Sequence, residues 1–244
     1  MSLASDLKIL YHMVLSPIRG GSHAERLESF YSAQARGYDE FRKHLLKGRA
    51  EMYGALDVPA NGVWLDLGAG TGFNLEYLGD RLRALHKVYL IDLSRSLLQV
   101  ARERAEHHGW ANVETLEADV TAVTPAERPA DVATFSYSLT MIPDWFAAID
   151  RAWELLRPGG TIGVVDFYVA RKYAVAPFRR HSWFTRSFWP VWFAADNVFP
   201  SPDHVPYLHR RFEVVRFSEH FMRMRYLPFF RVPYYIFIGR KPEA

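Results

Sequence analysis

Between residue 61 and about residue 168 the chain alternates two rhythms: short apolar runs that stop at a turn, and longer stretches whose apolar residues recur at helical spacing. The first run, Gly62-Val63-Trp64-Leu65, leads through Asp66 into glycines, and Leu75, Leu78 and Leu82 mark a helix after it. Lys87 to Ile91 predicts a second strand ending in Asp92, Val113 to Ala118 a third ending in Asp119-Val120, and Asp131 to Ser136 a fourth. A helix from near Pro143 carries Trp145, Ile149, Trp153 and Leu156 on one side and precedes a fifth strand, Thr161 to Phe167. Such alternation predicts an α/β fold built on a doubly wound, mostly parallel sheet. Residues 1 to 60 read as a helical cap, with a break at Gly20-Gly21-Ser22, a helix from about His23 to Ala33 and a longer one from about Tyr38 to Leu56. After Phe167 the alternation stops. Residues 169 to about 208 read as an irregular insertion, and two last strands, Phe212 to Phe217 and Val232 to Gly239, close the sheet. The expected organisation is one domain over residues 1–244, with the core at 61–168 and a substrate-side part at 169–244.

The turn after the first strand is Asp66-Leu67-Gly68-Ala69-Gly70-Thr71-Gly72. Glycine lets the backbone turn sharply there and lie against a ligand, because no Cβ intervenes. A dinucleotide fingerprint would need glycine at Phe73, and a phosphate loop would need a Gly-Lys-Ser/Thr ending; neither is present. Asp92 stands at roughly the twenty-residue offset where a carboxylate meets ribose hydroxyls in nucleotide-binding α/β folds. The acidic-x-G-x-G-x-G pattern resembles the first motif of the class I S-adenosylmethionine methyltransferases. Asp119-Val120 resembles that family's adenine-contacting position, and Leu155-Leu156-Arg157-Pro158-Gly159-Gly160 its turn into the fifth strand. The resemblance implies a seven-stranded Rossmann-like sheet with S-adenosylmethionine as cofactor. It implies cofactor contacts from Asp66, Gly68, Gly70, Gly72, Asp92, Leu93, Asp119, Val120 and Ser136. A helix face carrying two arginines suits carboxylates, and Arg49 is assigned to that of the cofactor.

Composition adds limits. With 244 residues, about half of them apolar, there is material for a single packed core plus accessory helices. The absence of cysteine excludes disulfides and thiolate chemistry. No apolar stretch is long enough to span a bilayer, the longest uncharged run being Val132 to Pro143, and Met1 to Pro17 has no cleavage pattern of a signal peptide. In that segment Leu3, Leu7, Leu10, Val14 and Ile18 can form one helical face, either a membrane anchor or a strut on the core. No His-Glu-x-x-His or similar ligand spacing occurs, so no metal is expected.

From Phe167 to Ala195 the cations Arg171, Lys172, Arg179, Arg180 and Arg186 are interleaved with Trp183, Phe184, Phe188, Trp189, Trp192 and Phe193, and no acid occurs. That mixture suits nucleic acid, an anionic membrane surface, or aromatics that merely cover a sheet edge. Nucleic acid is disfavoured by a net charge of only +3 and by Phe135-Ser136-Tyr137-Ser138 where base-amino methyltransferases carry an Asn/Asp-Pro-Pro-aromatic motif.

A narrower resemblance rests on His23-Ala24-Glu25-Arg26-Leu27-Glu28-Ser29-Phe30-Tyr31, Tyr38-Asp39-Glu40-Phe41-Arg42, Leu45-Leu46-Lys47-Gly48-Arg49, Phe135 to Trp145, Val164 to Tyr168, His181-Ser182-Trp183-Phe184 and Pro233-Tyr234-Tyr235. These stretches are similar to the diacylglyceryl-homoserine N-methyltransferases of betaine-lipid synthesis. The resemblance implies three methylations of a lipid-linked amine at the inner membrane face, with the enzyme that makes diacylglyceryl-homoserine as a possible partner. Tyrosine hydroxyls and carboxylates near the methyl group suit an amine that gains positive charge, which makes Tyr31, Tyr137, Tyr168 and Asp166 the catalytic candidates. Tyr38, Arg42, Arg179 and Arg180 are the substrate candidates, Tyr38, Arg42 and Arg49 sharing one helical face. The alternatives are methylation of another amine lipid such as phosphatidylethanolamine, a soluble small-molecule methyltransferase, and a non-catalytic S-adenosylmethionine-binding partner.

Overall fold

The computed structural model describes residues 21–31, 46–125, 129–194, 197–224 and 227–243. Seven strands form one sheet: β1 (Val63–Leu67), β2 (Lys87–Asp92), β3 (Val113–Glu117), β4 (Ala130–Ser136), β5 (Leu156–Phe167), β6 (Glu213–Met224) and β7 (Leu227–Arg240). Their order is β3-β2-β1-β4-β5-β7-β6, parallel except that β7 runs antiparallel to both β5 and β6. This is the doubly wound seven-stranded sheet that the alternation and the methyltransferase resemblance imply. The order reverses between β1 and β4, so two successive connections leave in opposite directions and open a crevice at the strands' C-terminal ends.

Helices α1 (His23–Tyr31), α2 (Arg49–Ala55), α3 (Arg95–His108), α4 (Trp145–Leu155), α5 (Trp183–Ala194) and α6 (His204–Arg211) flank the sheet. All five residues of β1 are buried, because helices cover both faces of a central parallel strand. Trp64 packs on the side of Leu75, Leu90 and Ile236, while Leu65 packs on the side of Ile91, Ala148 and Ile162. Helix α3 buries Leu97, Leu98, Ala101 and Ala105, a stripe at helical spacing. It starts where Ser94 Oγ accepts from the Leu97 N–H and stops at the left-handed Gly109.

Four expectations change. The segment after the glycine turn is a 3-10 helix, Phe73–Ala84, broken at Gly79, whose φ of 55° and ψ of −135° interrupt the coil. The insertion at 169–208 is not irregular throughout, because it contains α5 and α6. Trp and Phe dominate α5 and Pro190 stands inside it, so its sequence lacks ordinary helical cues although Trp189 and Phe193 form a buried face. The closing strands extend well past their apolar cores. β6 is an edge strand, and its polar Glu219, His220 and Arg223 blur an alternation that the pairing with β7 maintains. The helix read from Tyr38 to Leu56 is not continuous: Leu46, Lys47 and Gly48 are not helical, Gly48 stands at a left-handed φ of 82°, and the helix runs only over Arg49–Ala55, so Arg49 begins it and does not share one helical face with Tyr38 and Arg42. Tyr38, Arg42 and the segment Met1 to Pro17 lie outside the described residues.

Candidate cofactor and active site

The crevice is a cavity of about 240 Å³ bounded by the glycine turn, the ends of β2 and β4, the Ser138-to-Asp144 segment and helix α1. Gly68 and Gly70 have φ of 73° and 57°, backbone that side chains rarely adopt. A Cβ at Gly68 would stand 2.4 Å from Ser138 Cβ, so the turn presses directly on the segment after β4. A Cβ at Gly70 would meet nothing nearer than Leu97 Cδ1 at 4.0 Å, so there the bare backbone borders the cavity.

Asp92 holds this turn. Its Oδ2 accepts from the Gly70 N–H and its Oδ1 from the Ser94 N–H, each at 2.8 Å. Burial raises its pKa, and these backbone donors oppose the rise. Each carboxylate oxygen keeps a second lone pair, and the residue lines the cavity, as a receptor for a sugar diol requires. Across the cavity Asp119 accepts at Oδ1 from the Thr121 N–H (2.8 Å) and Oγ1 (2.7 Å), which rigidifies the wall made with Leu93 and Val120.

Arg49 is buried, and its Nη1 donates to Asn74 Oδ1 at 3.3 Å. Phe73 and Tyr77 flank the guanidinium at 5.5 and 6.0 Å from their ring centres. It lines the cavity as a fixed cation suited to a carboxylate. Ser136, also on the wall, has a buried Oγ without a hydrogen-bond partner among the described residues. An orphaned hydroxyl in a cavity is a place for a polar ligand atom. Sugar acceptor, carboxylate receptor, bare backbone and free hydroxyl together fit S-adenosylmethionine.

Tyr137 and Tyr31 complete the cavity's inner end. Tyr137 carries a φ of 56°, an uncommon conformation for a bulky residue and of the strained kind that clusters at functional sites. Its hydroxyl donates to the Lys47 carbonyl at 2.6 Å. Burial, first, and the neighbouring Asp166, second, raise its pKa, so it stays a neutral phenol. The Tyr31 hydroxyl donates to Met141 Sδ at 3.0 Å, which lays α1 across the cavity beside Leu27.

Other sequence candidates lie apart. Asp66 is buried behind the glycine turn, where its Oδ1 accepts from the Tyr53 and Thr134 hydroxyls, both at 2.9 Å. Burial lifts its pKa to about 6 against the pull of those donors. It anchors the turn from below and does not line the cavity. Gly72 also faces inward, where a Cβ would stand 2.8 Å from Leu90 Cδ1. Asp166 accepts from the Thr140 hydroxyl (2.8 Å) and the Phe167 N–H (2.7 Å) at Oδ1 and from the Thr140 N–H (3.2 Å) at Oδ2. It clamps the cavity's Ser138-to-Asp144 wall to β5, and burial raises its pKa to about 7. Tyr168 points elsewhere, donating to Glu219 and lying 3.3 Å from His181 Nε2. The Arg179 N–H also binds Glu219, and Arg180 Nε donates to the Ala174 carbonyl at 3.3 Å, so both arginines sit with Tyr168 away from the crevice.

Sequence reasoning missed Asn74, Met141 and Glu28. Glu28 Oε2 accepts from Ser94 Oγ (2.8 Å), Ser96 Oγ (3.2 Å) and the Ser96 N–H (3.3 Å), fixing α1 to the start of α3. The available signal was Ser94-x-Ser96 opening a helix, a cluster of donors that calls for an acid.

The fold is that of the class I S-adenosylmethionine-dependent methyltransferases, and the groups lining the crevice fit that cofactor. Residues 65–160 match the family model described as methyltransferase domain. The chain is 29% identical over 149 residues to a 2-phytyl-1,4-naphtoquinone methyltransferase of Thermosynechococcus vestitus, covering 61% of this chain and 60% of that protein. It is 25% identical over 148 residues to a demethylmenaquinone methyltransferase of Lactococcus lactis, covering 58% of each. A ubiquinone/menaquinone biosynthesis C-methyltransferase of Klebsiella pneumoniae is 24% identical over 171 residues, 68% of each chain. The matched part thus spans about 60% of the first two relatives. Among solved structures, the phospholethanolamine N-methyltransferase 2 of Haemonchus contortus, in complex with phosphomonomethylethanolamine and S-adenosylhomocysteine, superposes with a TM-score of 0.66 at 14% identity, over 91% of this chain and 61% of that one. The [4+2]-cyclase SpnF superposes at 0.65 and 16% identity over 93% and 98%, which shows that this fold alone does not fix a reaction. The relatives named here are quinone methyltransferases, so the betaine-lipid resemblance stands on the sequence motifs.

Proposed function

We propose that the protein methylates the amine of a lipid-linked acceptor, diacylglyceryl-homoserine, three times in succession. When bound, S-adenosylmethionine supplies a methyl group already activated by its sulfonium. The chain's own residues then bind, orient and exclude water. Asp92 and the bare backbone at Gly70 take the ribose end, and Arg49 takes the amino-acid carboxylate. Leu27, Tyr31 and Met141 cover the cavity, and a dry site favours the neutral amine over the ammonium.

The observation that carries the reading is the hydrogen-bond polarity of Tyr137. Its proton is committed to the Lys47 carbonyl, so its oxygen can only accept from an incoming ligand. In the first two transfers an amine N–H held on that oxygen leaves the nitrogen lone pair free for an in-line displacement, and each alkylammonium product gives its proton to water before the next transfer. The third acceptor is a tertiary amine with no N–H, placed by its lipid and by the cavity wall while the Tyr137 oxygen faces the growing positive charge. A second reading, methylation of a quinone ring carbon, is favoured by the names of the curated relatives.

Incubation with labelled S-adenosylmethionine and a lipid extract separates the readings. Label in a trimethylated homoserine lipid supports the proposal. Label in the quinone fraction establishes the second reading and removes the first. Label in phosphatidylcholine or in the aqueous phase assigns another amine lipid or a soluble acceptor. Cofactor binding without turnover, in the presence of every fraction, removes catalysis altogether.

A further inference from the structure

We infer that the overhanging end of the β6–β7 hairpin, together with α5, docks the protein on an anionic phospholipid bilayer. β5 ends at Phe167, which pairs with Tyr234, whereas β7 begins at Leu227. Its first seven residues therefore run about 20 Å past the end of β5, on the side where the crevice opens.

The two faces of this overhang differ. On one, Phe230 packs against Phe188 and Phe184 of α5, with ring centres 5.2 and 6.0 Å apart. Helix α5 buries Trp189 and Phe193 beneath it and turns outward Phe184, Val191 and Trp192, which are 48%, 77% and 42% exposed. On the other face Arg223 and Arg231 are exposed and sit directly opposite each other in the register. Beside them the Arg179 guanidinium lies 5.6 Å over the Phe221 ring. Like charges facing each other across a strand pair repel, and anions supplied from outside relieve that repulsion.

With exposed Trp and Phe on one side of the overhang and arginines on the other, a bilayer met end-on by the overhang receives both, rings at the headgroup boundary and guanidiniums on phosphate. With 12 residues, α5 is too short to cross the hydrocarbon and long enough to lie in its surface. No described helix is long and apolar enough to cross a membrane. The absence of acid from Phe167 to Ala195 selects an anionic partner. This inference rests on the lipid-acceptor reading, because docking here brings the crevice mouth to the surface that holds the acceptor.

Flotation with vesicles of phosphatidylcholine alone, and with a quarter phosphatidylglycerol, tests it without turnover. Native protein is expected to bind the anionic vesicles at low salt and to leave them at about 1 M salt. Arg223→Gln with Arg231→Gln is expected to weaken binding about 30-fold. Phe184→Ser with Trp192→Ser is expected to weaken it at least about tenfold. Both variants are expected to keep the native affinity for S-adenosylhomocysteine, and the arginine variant to melt no lower than the native chain. Absent binding, equal binding to neutral and anionic vesicles, or variants that bind like the native chain overturn the inference. So does a dimer in sedimentation that the Phe184/Trp192 variant abolishes, since the surface then belongs to a second copy. Loss of the acceptor reading is distinguishable: it appears as no methylation of detergent-dispersed lipid while vesicle binding persists.

Discussion

Asp92→Asn separates the two tasks assigned to the carboxylate at the end of β2, bracing the glycine turn and receiving a ribose. The native oxygens accept from the Gly70 and Ser94 N–H groups, both at 2.8 Å. Asparagine offers one oxygen and one amino group, so whichever way it turns, one peptide donor faces another donor. Losing a hydrogen bond to a charged acceptor costs about 1.5–3 kcal/mol. At about 2–4 °C per kcal/mol for a chain of this size, the variant is expected to melt about 3–12 °C lower. Bound cofactor loses its charged acceptor as well, a further 1.5–3 kcal/mol or so, which is about 10–150-fold in Kd. Calorimetry with S-adenosylhomocysteine, well below the variant's midpoint, reads the second effect apart from the first. A Kd within about threefold of the native value, in protein that melts lower as expected, would show that Asp92 only props the turn.

Arg49→Met is expected to raise the Kd for S-adenosylmethionine about 10–100-fold while leaving decarboxylated S-adenosylmethionine unaffected; equal losses for both ligands would remove the carboxylate assignment. Gly68→Ala combines left-handed backbone with a 2.4 Å approach to Ser138 Cβ, and urea unfolding is expected to register a loss of about 2–4 kcal/mol. Tyr137→Phe is expected to lower kcat about 10–100-fold with an unchanged Kd for S-adenosylhomocysteine, and an unchanged kcat would sink its role as acceptor for the amine. Asp166 gives a pH test. Its folded pKa is about 7 against an unfolded 3.8, so between those values the folded state binds more protons and stability falls as pH rises. The contribution is present below about pH 4 and gone above about pH 7, roughly 4 kcal/mol in all. Asp166→Asn removes that slope, so its stability relative to the native chain is expected to improve from pH 5 to pH 8; parallel profiles would refute the assignment.

The buried carboxylates show where sequence reading stops. Asp66, Asp92 and Asp166 each end or nearly end an apolar strand, and the chain gives them the same local signature. The structure gives them different work. Asp92 borders the cavity, Asp66 is held behind the turn by Tyr53 and Thr134, and Asp166 is closed off by Thr140. The partners of Asp66 and Asp166 come from other elements, and Thr134 stands 68 residues from Asp66. No local pattern announces those pairings.

What the sequence determined by itself is what backbone sterics and hydrophobic period enforce locally. Glycines at positive φ made the ligand turn legible, and the change from strand to helix rhythm made the doubly wound sheet legible. Arg49, Tyr31 and Tyr137 reached the same cavity because they lie on elements that this topology must bring together at the strand ends. Only the tertiary structure decided which acids face ligand and which face protein, that Tyr168 and the Arg179 backbone gather on Glu219, and that an aromatic helix and a basic hairpin end project beside the crevice. Those outcomes depend on strand register and on packing between residues far apart in the chain, and neither is encoded in the spacing of neighbours.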